Sequence, residues 1–450
     1  MSQDESSTAV PNSPVGRQLR WILERVADAG AGAGVEDRAR FAPSVPVSES
    51  NDEFRAFFER LANRFGSTAL SSIEKPSEFA LAAVLTASDD KRWRISCRVE
   101  ETEPHRIVAF DWERALDFEV VVREATEADA PALAEIERRC PLVLGDSAMV
   151  IDRGDDYFAF ARLMEDVTVS LGLIDGEPAG INCGALCTAR IGGVDQRIMI
   201  AIHTRVLPEH QRKGLWGALS KLLSKKYGPG RGVVGSCGYG SVDNVAIQRG
   251  FAHVAEKWDP GPVRAHLDCA DLSGPDVGRL ATPRDAPRIV EILNACHDNE
   301  EMYTPYTVES WTERLERAPG QYSWDRVRLS QNAVVGVWPA GDTIRVITET
   351  GGTRVESRRG VVLDYGFIPG DSGAESPGEA ELSALLGGWC TWLAKRGMDT
   401  LAIFSSEASH GYARICQLAR ETEAFYAWTP GVPVPKSLRQ NGMYVDAIYF

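Results

Sequence analysis

PEHQRKGLWGALSKLL, residues 208–223, sets Gln211, Arg212, Lys213 and Gly214 in a single turn ahead of a helical pattern. The preceding stretch, QRIMIAIHTRVLP (196–208), reads as a strand with apolar residues on both faces. Leu215, Leu219, Leu222 and Leu223 then recur at helical spacing, which predicts a helix of about ten residues. GVVGSCGYG (232–240) follows as a short buried strand, and DNVAIQRGF (243–251) as a helix ending in Gly-Phe. A strand that turns into a helix N-terminus makes an anion site. The first-turn amides there have no partner within the helix, and the helix dipole is positive. Arg212 and Lys213 add full charges, and Gly214 lets a ligand approach the backbone. That combination suits a pyrophosphate.

The formal net charge is −15, so this basic turn is not part of a generally basic surface. The acidic balance argues against nucleic-acid binding. No run of eighteen apolar residues is present, so no membrane span is expected. The opening MSQDESSTAVPNSPVG lacks the basic and apolar regions of a secretory signal and reads as a short disordered tail. The nine cysteines are scattered singly without a CxxC pair, which predicts reduced thiols and a cytoplasmic protein. The seven histidines form no metal-spacing cluster, so no metal is expected.

An internal repeat organises the chain. REATEADAP (123–131) and RLATPRDAP (279–287) both fit R-x-A-T-x-x-D-A-P, and each precedes an apolar helical pattern. In both, an apolar strand ends at the Arg and the Thr serves as N-cap. Asp129 or Asp285, three residues on, is a short capping-box partner. Two copies at domain-sized spacing indicate duplication. The predicted division is 1–116, 117–271 and 272–450. In the first part, helices at 17–30 and 52–64 precede three strand-like stretches, EFALAAVLTAS, RWRISCRVEE and HRIVAFDWER. This predicts a small α+β accessory domain. RFAPSVPVSE and PHRIVAFDWE resemble the non-catalytic domain found beside β-lactamase-like and peptidase domains, which implies a packing or substrate-presenting module. VTVSLGLIDGEPAGINCGALC (167–187) and NAVVGVWPAGDTIRVI (332–347) read as strand–turn–strand hairpins of a mixed sheet, one in each copy.

Val206–Leu207–Pro208 followed by Gln211-x-x-Gly214 resembles the acetyl-coenzyme A loop of the GCN5-related N-acetyltransferases. So do Asn244, Gly250–Phe251 and the opening Arg-x-Ala-Thr-x-x-Asp. The resemblance covers 117–271 and extends to 272–450 through the repeat. It implies an α/β class chain with two tandem acyltransferase folds, each built on a mixed, mostly antiparallel sheet. It implies a strand that parts from its neighbour and pairs with the pantetheine arm through its backbone. Arg205, Val206, Gln211, Arg212, Lys213, Gly214, Leu215, Trp216, Gly217 and Asn244 are the acetyl-CoA or acyl-CoA positions it implies. The sequence departs from the family at Trp216, where Gly or Ala is usual. It departs again at Ala246, where the family often has a tyrosine that protonates the departing thiolate. Tyr239 either takes that role or caps the core at a strand end. The second copy has Phe367–Ile368–Pro369 followed by Asp371, Glu375, Glu379 and Glu381, carboxylates that would repel phosphate.

Acyl transfer to an amine needs backbone donors for the oxyanion, expected near Val206, and a route for one proton. His203 shares a strand face with residues 199, 201 and 205 on regular alternation. It is read either as a base titrating near neutrality or as a histidine bonded within the sheet. Glu209 and His210 read as loop or capping residues, and Lys221, Lys225 and Lys226 as a solvated helix face. Cys237 lacks the setting of a nucleophile elbow. LVLGDSAMVIDRGDDYFAF (142–160) falls where the family places an acceptor wall. There Asp146, Asp152, Asp155 and Asp156 either attract a cationic amine or are surface acids. The expected function is transfer of an acetyl group from acetyl-CoA to a small-molecule amine, by direct attack in a ternary complex. The alternatives are action on another acyl or carrier-bound thioester, including decarboxylation, and non-catalytic CoA binding.

Overall fold

The computed structural model describes residues 9–28, 35–45, 50–65, 67–74, 77–87, 91–115, 118–251, 255–272, 274–275, 277–370 and 376–449. The chain divides after Phe118 into two units, each with its own core. In the first, Ser13 accepts a hydrogen bond from the Gly16 amide (3.2 Å) and starts α1 (Pro14–Ala27) earlier than the sequence pattern indicates. Val15, Leu19, Ile22 and Val26 form its buried stripe. Two further helices, α2 (Val35–Arg38) and α3 (Asn51–Phe65), precede β1 (Thr68–Glu74), β2 (Ala80–Ala87), β3 (Arg92–Val99) and β4 (Ile107–Arg114). These strands make one antiparallel sheet in chain order. Trp21, Phe54 and Phe58 meet edge to face in the core between helices and sheet. Residues 1–8 of the expected tail and 29–30 of the expected helix lie outside the described residues.

The second unit holds both repeats. The first supplies β5 (Val120–Glu124), α4 (Ala130–Arg139), β6 (Leu142–Leu144), β7 (Ser147–Asp152), α5 (Ala159–Arg162), β8 (Asp166–Ile174), β9 (Glu177–Ile191) and β10 (Val194–Val206). It continues through α6 (Leu215–Tyr227), β11 (Val233–Ser241), α7 (Val245–Phe251), β12 (Glu256–Trp258) and β13 (Pro262–Asp268). The second supplies β14 (Arg279–Leu280), α8 (Ala286–His297), α9 (Val308–Arg317), β15 (Val327–Leu329), β16 (Ala333–Trp338), β17 (Arg345–Thr350), β18 (Thr353–Ser357) and β19 (Arg359–Phe367). It ends with α10 (Pro377–Ala394), β20 (Thr400–Ser406), α11 (Tyr412–Leu418), β21 (Glu421–Thr429) and α12 (Leu438–Asn441). No helix among the described residues is long and apolar enough to cross a membrane.

Each repeat opens with the same construction. Arg123 binds Asp129 through two bonds (2.7 and 2.8 Å), and Asp129 accepts from the Thr126 amide (2.8 Å). Arg279, Asp285 and Thr282 repeat this set of bonds. The arginine, and then the threonine, hold each carboxyl well below the ordinary carboxylate range. The repeated Arg is therefore part of the helix cap, tying the strand end to the turn.

The strands run β5-β8-β9-β10-β11 in the first repeat and β14-β15-β16-β19-β20 in the second. β10 and β11 are parallel, as are β19 and β20. The two ladders then exchange their last strands. β13 pairs with β20 of the second repeat, β21 pairs with β11 of the first, and β13 and β21 pair with each other. One sheet therefore runs through both repeats. β8 and β9 form the hairpin expected at IDGEPAG, turned by Asp175 and Gly176 at positive φ (52° and 86°). The second expected hairpin is not formed. β16 lies in the large sheet, while PAGDT bends the chain into β17, which pairs with β18 and with β7 of the first repeat.

Close helix–sheet approach positions α6. A Cβ on Gly180 would stand 2.9 Å from both the Leu215 side chain and the Arg205 carbonyl. At Gly172 it would stand 2.6 Å from Leu215. These two glycines seat Leu215, the first residue of α6, against β8 and β9. Gly180→Val is expected to destabilise the protein by about 1–3 kcal/mol through overpacking. A lowered melting temperature, read by circular dichroism, checks this.

Candidate active site

β10 and β11 are paired from Arg197–Val233 to Ala201–Gly238 and then separate. Beyond that point β10 continues along β9, and β11 continues along β21. A bulge between Ile202 and Arg205 accompanies the separation, with His203 in the left-handed region (φ 52°). The bulge breaks the expected alternation of residues 199 to 205, so His203 and Arg205 do not share a face through simple parity. A cavity of about 430 Å³ lies at the parting. Its walls include His203, Thr204 and Arg205 of β10, Tyr239 and Ser241 of β11, Asn244, Ala246 and Phe251 beside or within α7, and Trp216 of α6.

The turn into α6 is open. Pro208–His210 forms a single 3-10 turn, Arg212 has φ 64°, and Gly214 is the N-cap at φ 83° with no side-chain cap. A Cβ on Gly214 or Gly217 would meet nothing within 4 Å. The first-turn amides of α6 have no intrahelical partner, and Arg212 and Lys213 stand beside them. Lys213 Nζ lies 3.3 Å from His210 Nδ1, and Glu209 pairs with Arg139. Gln211 donates to the Val206 carbonyl (3.4 Å), and Arg205 to the Thr204 carbonyl (2.8 Å). Asn244 Oδ1 accepts from the Ile247 amide (3.1 Å), so this residue caps α7 at the cavity wall. Trp216 is 43% exposed and meets Phe251 edge to face at 6.1 Å, which sets its ring along the groove and not in the core. Lys226 pairs with Glu124 (2.9 Å) on the outer side of α6.

The corresponding helix of the second repeat is closed. The Ser376 side chain accepts from the Glu379 amide (3.2 Å), and Glu379 accepts from the Ser376 amide (3.0 Å). Glu381 binds Ser330 and the Asn332 amide (2.5 and 2.7 Å). Protein carboxylates thus occupy the start of α10. Asp371 and Glu375 lie outside the described residues.

His203 does not titrate near neutrality. Burial, then Arg153 and Arg205, push its pKa well below the ordinary histidine value. Arg153 Nη2 lies 3.0 Å from His203 Nδ1, and Arg153 Nε donates to Glu137 (2.8 Å). Both members of this ion pair are buried. The imidazole is neutral and one nitrogen faces a guanidinium, so it is a poor base. The residues that fix it, Glu137 and Arg153, were not anticipated. Glu137 reads as one of several charges in AEIERR, and Arg153 lies among acids in IDRGDD. Tyr239 is a neutral phenol whose pKa burial, and then Cys237 and Cys187, push well above the ordinary value. The Cys237 thiol is pushed up to about 12 by burial and is no nucleophile.

The hairpin β6–β7 covers the cavity with Leu142, Leu144, Met149 and Ile151. The acids around it serve other purposes. Asp152 pairs with Arg345 (3.2 Å), Asp156 pairs with Arg162, and Asp146 and Asp155 are exposed. The cavity wall from this segment is therefore apolar.

No protein-family model matches the sequence, and no curated protein matches it. In structure the chain is similar to two structures of N-myristoyltransferase from Saccharomyces cerevisiae with bound myristoyl-CoA. One is 8% identical with a TM-score of 0.51, over 71% of this chain and 84% of that one. The other is 9% identical with a TM-score of 0.52, over 71% and 81%. A GCN5-related N-acetyltransferase from Sphaerobacter thermophilus is 16% identical with a TM-score of 0.43, over 71% and 98%. The yeast structures establish the fold as a tandem GCN5-related N-acetyltransferase fold with mixed sheets.

Two outcomes are expected. Glu137→Gln leaves the Arg153 charge buried without its counter-ion and destabilises by about 3–5 kcal/mol in denaturant melts. The folded pKa of His203 lies below its unfolded value of 6.5. Its contribution to stability is therefore full above that pH and lost as the pH falls. His203→Gln should flatten the fall in melting temperature between about pH 6.5 and 5.

Proposed function

We propose that this chain is an acyl-CoA-dependent N-acyltransferase, moving an acetyl group from acetyl-CoA to a small-molecule amine. The observation that carries the reading is the parting of β10 from β11 into an uncapped, basic helix start. At Ile202, Arg205 and Val206, β10 is paired with β9, and over 239–241, β11 is paired with β21. The edges that face each other across the cavity are no longer bonded to each other. Gln211 and Arg205 reach the Val206 and Thr204 carbonyls, and the remaining buried backbone groups require partners. An extended arm containing amides, such as pantetheine, satisfies them as an added strand would. Its pyrophosphate then meets the α6 amides with Arg212 and Lys213, in the open space above Gly214 and Gly217. Arg205, Val206, Gln211, Leu215, Trp216 and Asn244 border that path. Several are paired within the protein, as described, and they shape the groove as much as they bind.

In the ternary complex the amine nitrogen attacks the thioester carbonyl. A C–N bond forms, the C–S bond breaks, the amine gives up one proton and the thiolate gains one. Backbone N–H near Val206 is the oxyanion donor. Tyr239 keeps its proton across the neutral range and stands at the parting, so it is the group placed to protonate the thiolate. His203 walls the cavity as a neutral ring. A second reading concerns the acyl group. The apolar cover of Leu142, Leu144, Met149 and Ile151 also fits an acyl chain longer than acetyl.

Calorimetric titration of the full chain with acetyl-CoA tests this. One site per chain is expected. Gly214→Glu, which sets a carboxylate at the pyrophosphate position, should weaken binding about 100-fold, or ~2.7 kcal/mol. No binding by the native chain overturns the proposal. Binding without thiol release, over acyl-CoAs of increasing chain length and an amine panel, favours a non-catalytic CoA-binding protein.

A further inference from the structure

A second cavity, of about 220 Å³, lies beside the first and shares Tyr239 and Tyr449 with it as wall. It is smaller than the pockets that enclose drug-sized ligands. Tyr303, Tyr306 and Tyr444 supply further aromatic wall, and Asp446 reaches it. Behind Asp446 two carboxylates share one guanidinium. Arg314 binds Asp446 through two bonds (2.7 and 2.9 Å) and Asp364 through a third (3.2 Å). Asp364 also accepts from the Tyr322 hydroxyl (2.5 Å).

Burial opposes the Arg314 charge, but Asp364 and Asp446 outweigh it and hold the guanidinium well above its ordinary pKa. The tyrosines around the cavity are all pushed above the ordinary phenol range, chiefly by burial, so they add no negative charge. At the mouth, Glu165 and Arg317 (4.0 Å) cancel. Asp446 is engaged by Arg314 and by the Ile448 amide (3.2 Å), yet a carboxylate has about four lone-pair sites, so it can accept another donor. A carboxylate with acceptor capacity to spare among tyrosine rings attracts a cation through both its oxygens and the ring faces.

Resting on the acyltransferase reading, we infer that this cavity is the acceptor site and that it selects a compact primary amine, held as its ammonium ion against Asp446 within the tyrosine wall. The shared wall at Tyr239 and Tyr449 puts the acceptor next to the parting of β10 and β11. The ammonium releases one proton to solvent before attack, because only the neutral amine carries the lone pair that forms the C–N bond.

The test is calorimetric titration of the CoA-saturated full chain with tyramine, and with 4-ethylphenol as its uncharged counterpart. Tyramine is expected to bind at least tenfold tighter. Asp446→Asn leaves Arg314 paired with Asp364, and should weaken tyramine about tenfold while leaving the CoA titration unchanged. Thr304→Trp, which fills the cavity from its edge, should abolish tyramine binding and spare CoA. Equal binding of the two probes, binding of neither, or tyramine binding unmoved by both variants overturns the inference. Loss of the CoA titration in the native chain instead overturns the acyltransferase reading, so the two failures are distinguishable.

Discussion

After Ala201 and Gly238 two parallel strands cease to share hydrogen bonds, and everything proposed for this protein follows from that separation. The separation needs each strand to have another partner. β9 holds β10 on one side, and β21, from near the far end of the chain, holds β11 on the other. A strand with neither edge paired at this depth would either re-pair or collapse. The exchange of final strands between the repeats is thus what keeps the cavity open. The left-handed bulge at His203 bends β10 away at the same place, and Leu215, seated on two glycines, brings the start of α6 to its mouth.

The second repeat shows the same backbone plan with opposite chemistry. β19 and β20 part after Val361 and Ala402 as their counterparts do. Within the parted stretch the Tyr365 carbonyl accepts from His297 Nε2 (2.7 Å), and His297 Nδ1 lies 3.0 Å from Glu300. The start of α10 is capped by Ser376 and Glu379. In the first repeat the Thr204 and Val206 carbonyls also accept from side chains, Arg205 and Gln211, while the start of α6 has no side-chain cap. The two copies differ most at this helix start, open in the first and capped in the second. The second copy also lends β21 to the first, and its Arg314–Asp364–Asp446 set to the neighbouring cavity.

Much of this was legible from local pattern. The repeated R-x-A-T-x-x-D-A-P encodes its cap within a few residues, and the strand–turn–helix at 196–223 carries its own periodicity and glycine, so both could be read in one pass. The role of the repeated arginine was not, because its partner Asp is recognised only once the strand end and the turn meet. The strand exchange was invisible, since the patterns of β13 and β21 state that they are buried strands and not which neighbours they choose. Local pattern likewise leaves His203 open between a base and a histidine bonded within the sheet. Its proton affinity is lowered by burial, then by Arg153, fifty positions away, and by Arg205, and the bulge stands at the same residue. In 142–160 four acids share the segment with Leu142, Leu144, Met149 and Ile151, and local pattern does not state which of the two sets faces the cavity.

The exchange of β13 and β21 also has a bearing on how the molecule is made. A chain emerging from the ribosome completes β10, α6 and β11 long before residues 421–429 exist. Until then β11 is an edge strand with its outer groups exposed, and the most non-local pairing in the sheet is still to come. The cavity between the repeats acquires its last wall only when the segment carrying Tyr444, Asp446 and Tyr449 arrives. The cavity walls are therefore a property of the finished polypeptide. A product that ends before residue 421 carries the entire basic loop without the strand that holds β11 apart from β10.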